Sequence, residues 1–159
     1  MTVLTEETKP VDRSLHTTTF AERLESLKVG CFGGLAATIG FGATVLPNQV
    51  LARSFELAAL EPGSLWILVA KAAIAILSGF LFAVTYRYVI RRDRNPHLRS
   101  GAVMAFGLVR GLAQLEAGLQ TQIAVLPAVL LLGESVALFA IVRLVLDGAI
   151  DRAWVKPFS

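Results

Sequence analysis

The chain has 159 residues, of which 55% are hydrophobic and 17% are charged, and its mean hydropathy is +0.64. This apolar content exceeds what one soluble core of this size needs, so it predicts a membrane protein. A hydrocarbon core of about 30 Å takes roughly 20 apolar residues to cross as a helix, and backbone groups in lipid must bond within the segment. The net charge of +3 comes with no nucleic-acid-binding module, so we expect no nucleic-acid partner.

The N-terminal region is predicted to lead from water into the membrane. Residues 1–18 mix charges, threonines and a proline without periodicity, which indicates a flexible tail. Thr19 and Glu22 have the spacing of a capping box, so the first helix is expected to begin near Phe20. It becomes apolar by about residue 28.

The first span is predicted at about residues 28–46, with Pro47 and Asn48 ending it. Within it, Gly30 and Gly34 form a GxxxG pair in a stripe of small residues, which lets helix backbones approach closely. That close contact lies either inside this chain or with a second copy or a partner. Residues 50–60 follow with apolar side chains able to face one side, which predicts a short interfacial helix in the first loop.

The second span, about residues 64–90, is the clearest transmembrane signal. Trp66 lies near one end and Tyr86 and Tyr88 lie near the other, where amphipathic rings prefer the membrane interface.

Two further spans are predicted at about residues 101–118 and 122–147, joined by a tight turn. Pro127 is expected to kink the last span and to free a carbonyl group. Residues 151–159 form a short C-terminal tail. The prediction is an all-α polytopic membrane protein with a four-helix domain over residues 19–150; the alternative is that residues 101–118 lie on or re-enter the membrane.

Lysine and arginine are distributed very unevenly about these spans. With four spans, eleven of those at or beyond the span ends, Arg87 among them, fall on the side of both termini and one, Arg53, on the other. The positive-inside rule then places both termini in the cytoplasm or its topological equivalent. The loop after the second span is a candidate surface for anionic lipid or an acidic partner, although topology alone also explains its charge. Its arginines are Arg91, Arg92, Arg94 and Arg99.

The third span carries polar residues along one face. Gly107, Arg110, Gly111 and Gln114 share one stripe of a helix with 3.6 residues per turn, whereas Glu116 points roughly 120° away from Arg110. We therefore expect a polar seam that packs against the next span.

An unpaired charge in mid-membrane is costly, so each buried charge is expected to have a mate or water. Depth along the helices, at about 1.5 Å per residue, favours Arg110 with Glu134 and Lys71 with Glu116. Lys71 can instead extend to its nearer interface. A transport or proton-relay role for Glu134, Arg110 and Gln114 is the functional alternative to structural pairing.

No sequence motif points to an enzyme. The chain contains no P-loop, no GxSxG, no HExxH and no cysteine and histidine set with metal-ligand spacing. We expect no catalytic residue, no cofactor and no metal.

The stretch "YRYVIRRDRNPHLRSGAVMAFGLVRGLAQLE", residues 86–116, resembles a segment of uncharacterised small integral membrane proteins of cyanobacteria and chloroplasts. The resemblance covers about one fifth of the chain. It implies a thylakoid or cyanobacterial plasma membrane and favours a role near photosynthetic complexes. The expected function is an accessory, assembly or interaction factor of a membrane complex; the alternative is a small oligomeric transporter or channel subunit that uses Glu134 and Arg110.

Overall fold

Four long α-helices make up the fold. The computed structural model describes residues 14–55, 63–90, 95–120 and 124–155. Helix α1 spans Ser14–Phe55, α2 Leu65–Val89, α3 Pro96–Gln120 and α4 Val125–Asp151. Each contains a stretch long and apolar enough to cross a membrane. The predicted all-α class with four transmembrane helices is confirmed, and the chain has the make-up of a multi-pass membrane protein.

Helix α1 is longer at both ends than the sequence indicated. It begins at Ser14, so Thr19 lies inside the helix instead of capping it. It also continues through Pro47 to Phe55, because a proline inside a helix removes one hydrogen bond without excluding a helical φ. The first part of the predicted interfacial helix is therefore the last turn of α1. Its remainder, residues 56–60, lies outside the described residues, as do residues 1–13 of the predicted tail.

Pro127 does not interrupt α4. The helix begins at Val125, which puts Pro127 in the first turn, where backbone N–H groups have no acceptor within the helix. The predicted kink and freed carbonyl therefore do not arise there. Pro47 is the proline inside a helix, and it cannot donate to the carbonyl oxygen of Ala43, four residues earlier.

The start of the predicted C-terminal tail is ordered against the bundle. Beyond Asp151 the chain turns through Ala153, which has a left-handed φ of 55°. Trp154 donates its backbone N–H to the Ala149 carbonyl at 2.9 Å, and Val155 is buried in the core. Residues 156–159 lie outside the described part.

The closest helix contact joins α1 and α2 through small residues. Gly33 and Ala37 of α1 face Gly79 and Ala83 of α2. A Cβ atom added at Gly79 would overlap the Ala37 side chain and lie 2.7 Å from the Gly33 carbonyl oxygen. Only glycine leaves room for backbones at this distance.

The GxxxG pair belongs to this same contact. Gly30 and Gly34 are buried, and Cβ atoms added there would meet Phe80 and Ile76 of α2 respectively. The pair was predicted to pack either within this chain or against a second copy or a partner, and in the structure it packs within the chain. In this structure α2 covers these glycines, so they offer no open surface to a second copy.

The helices alternate in direction, which gives the bundle two distinct ends. We call the end that holds Glu22, Arg87, Arg99 and Asp147 the basic end, and the end where α1 and α3 finish the distal end. Helix α4 packs against α3 through Leu132 and Val136 and against α1 through Leu138. No residue of α2 before Ala75 is buried, so the distal part of α2 is the more open part of that helix.

Candidate functional site

At the basic end, a buried arginine ties α2 to α1. Arg87 is 2% exposed, and its Nη2 lies 2.6 Å from Glu22 Oε2. Its Nη1 donates to Ser26 Oγ at 2.6 Å and to the Glu22 backbone carbonyl at 3.1 Å. Several charge-assisted hydrogen bonds to one guanidinium fix both distance and orientation. The arginine predicted as one of several topogenic charges is therefore a structural anchor.

Asp147 of α4 joins that helix to α2 and α3 at the same end. It accepts a hydrogen bond from the Tyr86 hydroxyl at 2.8 Å and contacts Arg99 and Arg143 at 3.4 Å each. Tyr86 is thus buried within the bundle and not, as predicted, at the lipid interface. Arg99 likewise turns towards Asp147, although its buried Nε finds no hydrogen-bond partner in the described chain. The other predicted surface arginines lie outside the described residues: Arg91, Arg92 and Arg94.

An aromatic layer lies on the distal side of these charges. Phe82 of α2, Phe106 of α3 and Phe139 of α4 have ring centroids 5.2–5.6 Å apart. Tyr86 stacks on Phe82 at 5.4 Å. Three helices meet in this layer, so it separates the polar groups of the basic end from those nearer the distal end.

The seam of α3 packs on α4. A Cβ atom added at Gly107 would lie 2.7 Å from Val136 Cα, and one added at Gly111 would lie 3.0 Å from Leu132 Cα. One turn further along, Ser135 Oγ donates to Gln114 Oε1 at 2.7 Å. The glycines let the helices approach, and the amide and hydroxyl then satisfy each other across the contact.

A second polar contact joins α1 to α4. Asn48 Nδ2 donates to Glu134 Oε2 at 3.0 Å, although the two residues are 86 positions apart. Asn48 Oδ1 is buried and has no hydrogen-bond partner in the described chain. Lys71 is exposed but close enough to attract the Glu134 carboxylate electrostatically.

The predicted ion pair between Arg110 and Glu134 is not formed. The register set by Gly107 against Val136 puts the two residues at nearly the same depth, whereas counting from the predicted span ends puts them about 7 Å apart. Glu134, however, is two residues away from Val136 along α4 and so points roughly 200° away from α3, towards Asn48. Depth along the helix was inferable from the sequence to within about 7 Å, but the direction around the helix axis was not inferable.

Arg110 is left without a mate in the described chain. It is half-buried and makes no hydrogen bond or ion pair with any described residue. It follows Phe106 by one turn and therefore lies on the same stripe of α3, on the distal side of the aromatic layer. The second predicted pair is not formed either: Lys71 and Glu116 are both exposed, and Lys71 acts on Glu134.

Sequence reasoning missed the residues that connect the helices most directly. Glu22 and Asn48 drew attention only as helix-end residues, and Tyr86 only as an interfacial ring. The available signal was weak: a polar residue within six positions of a predicted span end is too common to single out a partner some 60–90 positions away.

The described residues contain no group of three or more histidine, cysteine, aspartate or glutamate side chains placed to hold a metal ion. Comparison with protein-family models, curated proteins and solved structures gave no match. The polar groups on the distal side of the aromatic layer, namely Arg110, the Gln114 amide and the Asn48–Glu134 contact, are therefore the candidate site on geometric grounds alone.

Proposed function

We propose that this chain is an accessory, assembly or interaction factor of a larger membrane complex, and that α3 is the helix through which it binds. The observation that carries the proposal is Arg110, a half-buried cation with no partner among the described residues. Burying a charge without a partner costs several kcal/mol on most scales, so such a charge is retained where something outside the chain compensates it.

Arg110 lies too deep along α3 for a lipid head group to be a good counter-charge. It lies 14 residues from Pro96 and 10 from Gln120, which is about 21 Å and 15 Å from the two ends of α3. A lipid phosphate stays at the interface, whereas a side chain on a neighbouring helix can sit at any depth. A carboxylate on a transmembrane helix of the partner therefore fits best.

Helix α3 also has the surface for such a contact. In its most apolar stretch 17% of the residues are buried, against 22% to 41% in the other three helices. It packs mainly on α4, so much of its circumference faces outward.

The test is affinity isolation of the tagged chain from the membranes of its source under mild detergent. Arg110→Leu should lower recovery of co-purifying membrane subunits at least about tenfold, the loss expected for 1.4 kcal/mol of binding. Leu144→Ala, which truncates an exposed side chain of α4 outside the proposed binding helix, is the control and should keep them.

Charge exchange then identifies the contact. If a partner carboxylate pairs with Arg110, its replacement by arginine should break the complex, and Arg110→Glu should restore it. Equal recovery with wild type and Arg110→Leu would refute the proposal.

The membrane setting is a further part of the proposal. Both termini are placed on the cytoplasmic side or its stromal equivalent, supported by the charge difference between the two ends. The resemblance of residues 86–116 favours a thylakoid or cyanobacterial plasma membrane and a photosynthetic complex.

Cysteine labelling tests the number of spans. In a Cys31→Ser chain, cysteines placed at Gly63 and Asn95 should be labelled from opposite sides of the membrane; labelling of both from one side would contradict four spans.

The alternative, a small oligomeric transporter or channel subunit, is favoured by a different observation. Asn48, Glu134 and Lys71 bring polar groups together between α1, α2 and α4. In that case Glu134→Gln should abolish proton or cation flux into proteoliposomes, with Glu116→Gln as the matched control. Flux that is absent from wild type, or unchanged in Glu134→Gln, would exclude it.

A further inference from the structure

The contact between Asn48 and Glu134 leaves one hydrogen-bonding atom of the Asn48 amide without a partner in the described chain. The amide N–H donates to Glu134 Oε2 at 3.0 Å. The amide oxygen beside it is buried and accepts nothing from the described chain. One half of the amide is therefore satisfied and the other half lacks a donor.

Asn48 Oδ1 lacks a hydrogen-bond donor, and an ionised Glu134 cannot supply one. A carboxylate only accepts hydrogen bonds, whereas a protonated carboxylic acid also offers one O–H. A carboxamide and a carboxylic acid present complementary pairs, each with one donor beside one acceptor. A proton on Glu134 supplies the bond that Asn48 Oδ1 lacks, and the N–H bond already present is kept.

The charged surroundings of Glu134 do not replace that proton. Helix α1 contributes the neutral Asn48, α2 contributes Lys71, and Arg110 of α3 forms no ion pair with it. Lys71 is exposed and lies beyond ion-pair distance. Glu134 is half-buried, and withdrawing a carboxylate from water without a close counter-charge favours its neutral form.

We propose that Glu134 is protonated in the folded protein and that Glu134 and Asn48 form an acid–amide pair, a proton-binding site between α1 and α4. Glu134 takes this proton from water, and the resulting carboxylic O–H group donates a hydrogen bond to Asn48 Oδ1. The proposal is independent of the accessory function, because such a pair latches two helices whether or not protons cross the membrane.

Infrared spectroscopy of the full chain in lipid nanodiscs tests the site. At pH 7 the wild-type spectrum should contain a carboxylic-acid carbonyl band, which is lost in Glu134→Gln and retained in Glu116→Gln. Glutamine at 134 keeps an amide pair with Asn48, so this variant should fold. In Asn48→Leu the band should move to higher frequency, because the acid loses its acceptor.

Three results would overturn the proposal. One is the absence of any carboxylic-acid band from the wild-type chain at pH 7, which needs no variant to observe. Another is loss of carboxylate rather than acid absorption in Glu134→Gln. The third is an acid band that does not move in Asn48→Leu, since the proton would then lie outside this pair.

Discussion

The two ends of the bundle treat their polar side chains differently. At the basic end, Arg87 is enclosed by Glu22 and Ser26, and Asp147 meets a hydroxyl and two guanidinium groups. On the distal side of the aromatic layer, Arg110 has no mate in the described chain. The two ends therefore have different roles. The basic end holds the helices together, and the distal side keeps polar groups available to bind a proton or a partner.

The largest effect is expected at the small-residue contact that underlies both ends. Gly33→Leu puts a side chain where Gly79 and Ala83 already lie, and overpacking at a backbone contact should cost about 3 kcal/mol or more. Gly42→Leu is the matched control on the same helix, because no atom lies within 4 Å of its added Cβ. Thermal unfolding in detergent measures both; equal stability of the two variants would show that α1 and α2 do not meet this way.

The next effect tests the basic end. Arg87→Met removes the guanidinium from Glu22 and Ser26, and we expect a loss of about 2–3 kcal/mol, less than for a fully buried pair because Glu22 is partly exposed. Arg23→Met, at an exposed position of α1, should unfold like wild type. In a double-mutant cycle with Glu22→Gln, the losses in the free energy of unfolding should be clearly coupled. Additive losses would show that Arg87 does not anchor α2 to α1 through Glu22.

A smaller effect is expected for the seam between α3 and α4. Gln114→Leu breaks the 2.7 Å bond to Ser135 and should cost about 1 kcal/mol, in the range found for hydrogen bonds between membrane helices. Ser135→Ala should cost a similar amount, and the double variant no more than either one. A loss as large as that of Arg87→Met would mean that the distal side also carries the fold.

The sequence was sufficient for the parts of the structure that depend on hydropathy and local spacing. Four helices follow from apolar length, and the face of α3 with Gly107 and Gly111 follows from a period of 3.6 residues. The passage of α1 through Pro47 did not follow, since a proline ends some helices and continues others depending on what packs around it.

The partners of buried charges were beyond reach for a different reason. Depth can be counted along each helix, and the count put Arg110 within about 7 Å of the level of Glu134. Rotation about the helix axis is set by the neighbours, and the Gly107–Val136 contact turns Glu134 away from α3. The same holds for Arg87, and for Asp147 in its contacts with Tyr86 and Arg99, because these partners lie 48–65 positions away. The contact of Asp147 with Arg143 is different, since the two residues are four positions apart on one helix.

The most direct test of the central claim is the stability of the purified Arg110→Leu chain in lipid nanodiscs, without any partner. A charge with no mate inside the chain contributes nothing to holding it together, so unfolding should occur at the wild-type temperature or above it. A marked loss of stability that Glu134→Gln partly recovers in a double-mutant cycle would show that the two residues pair, and would contradict the account.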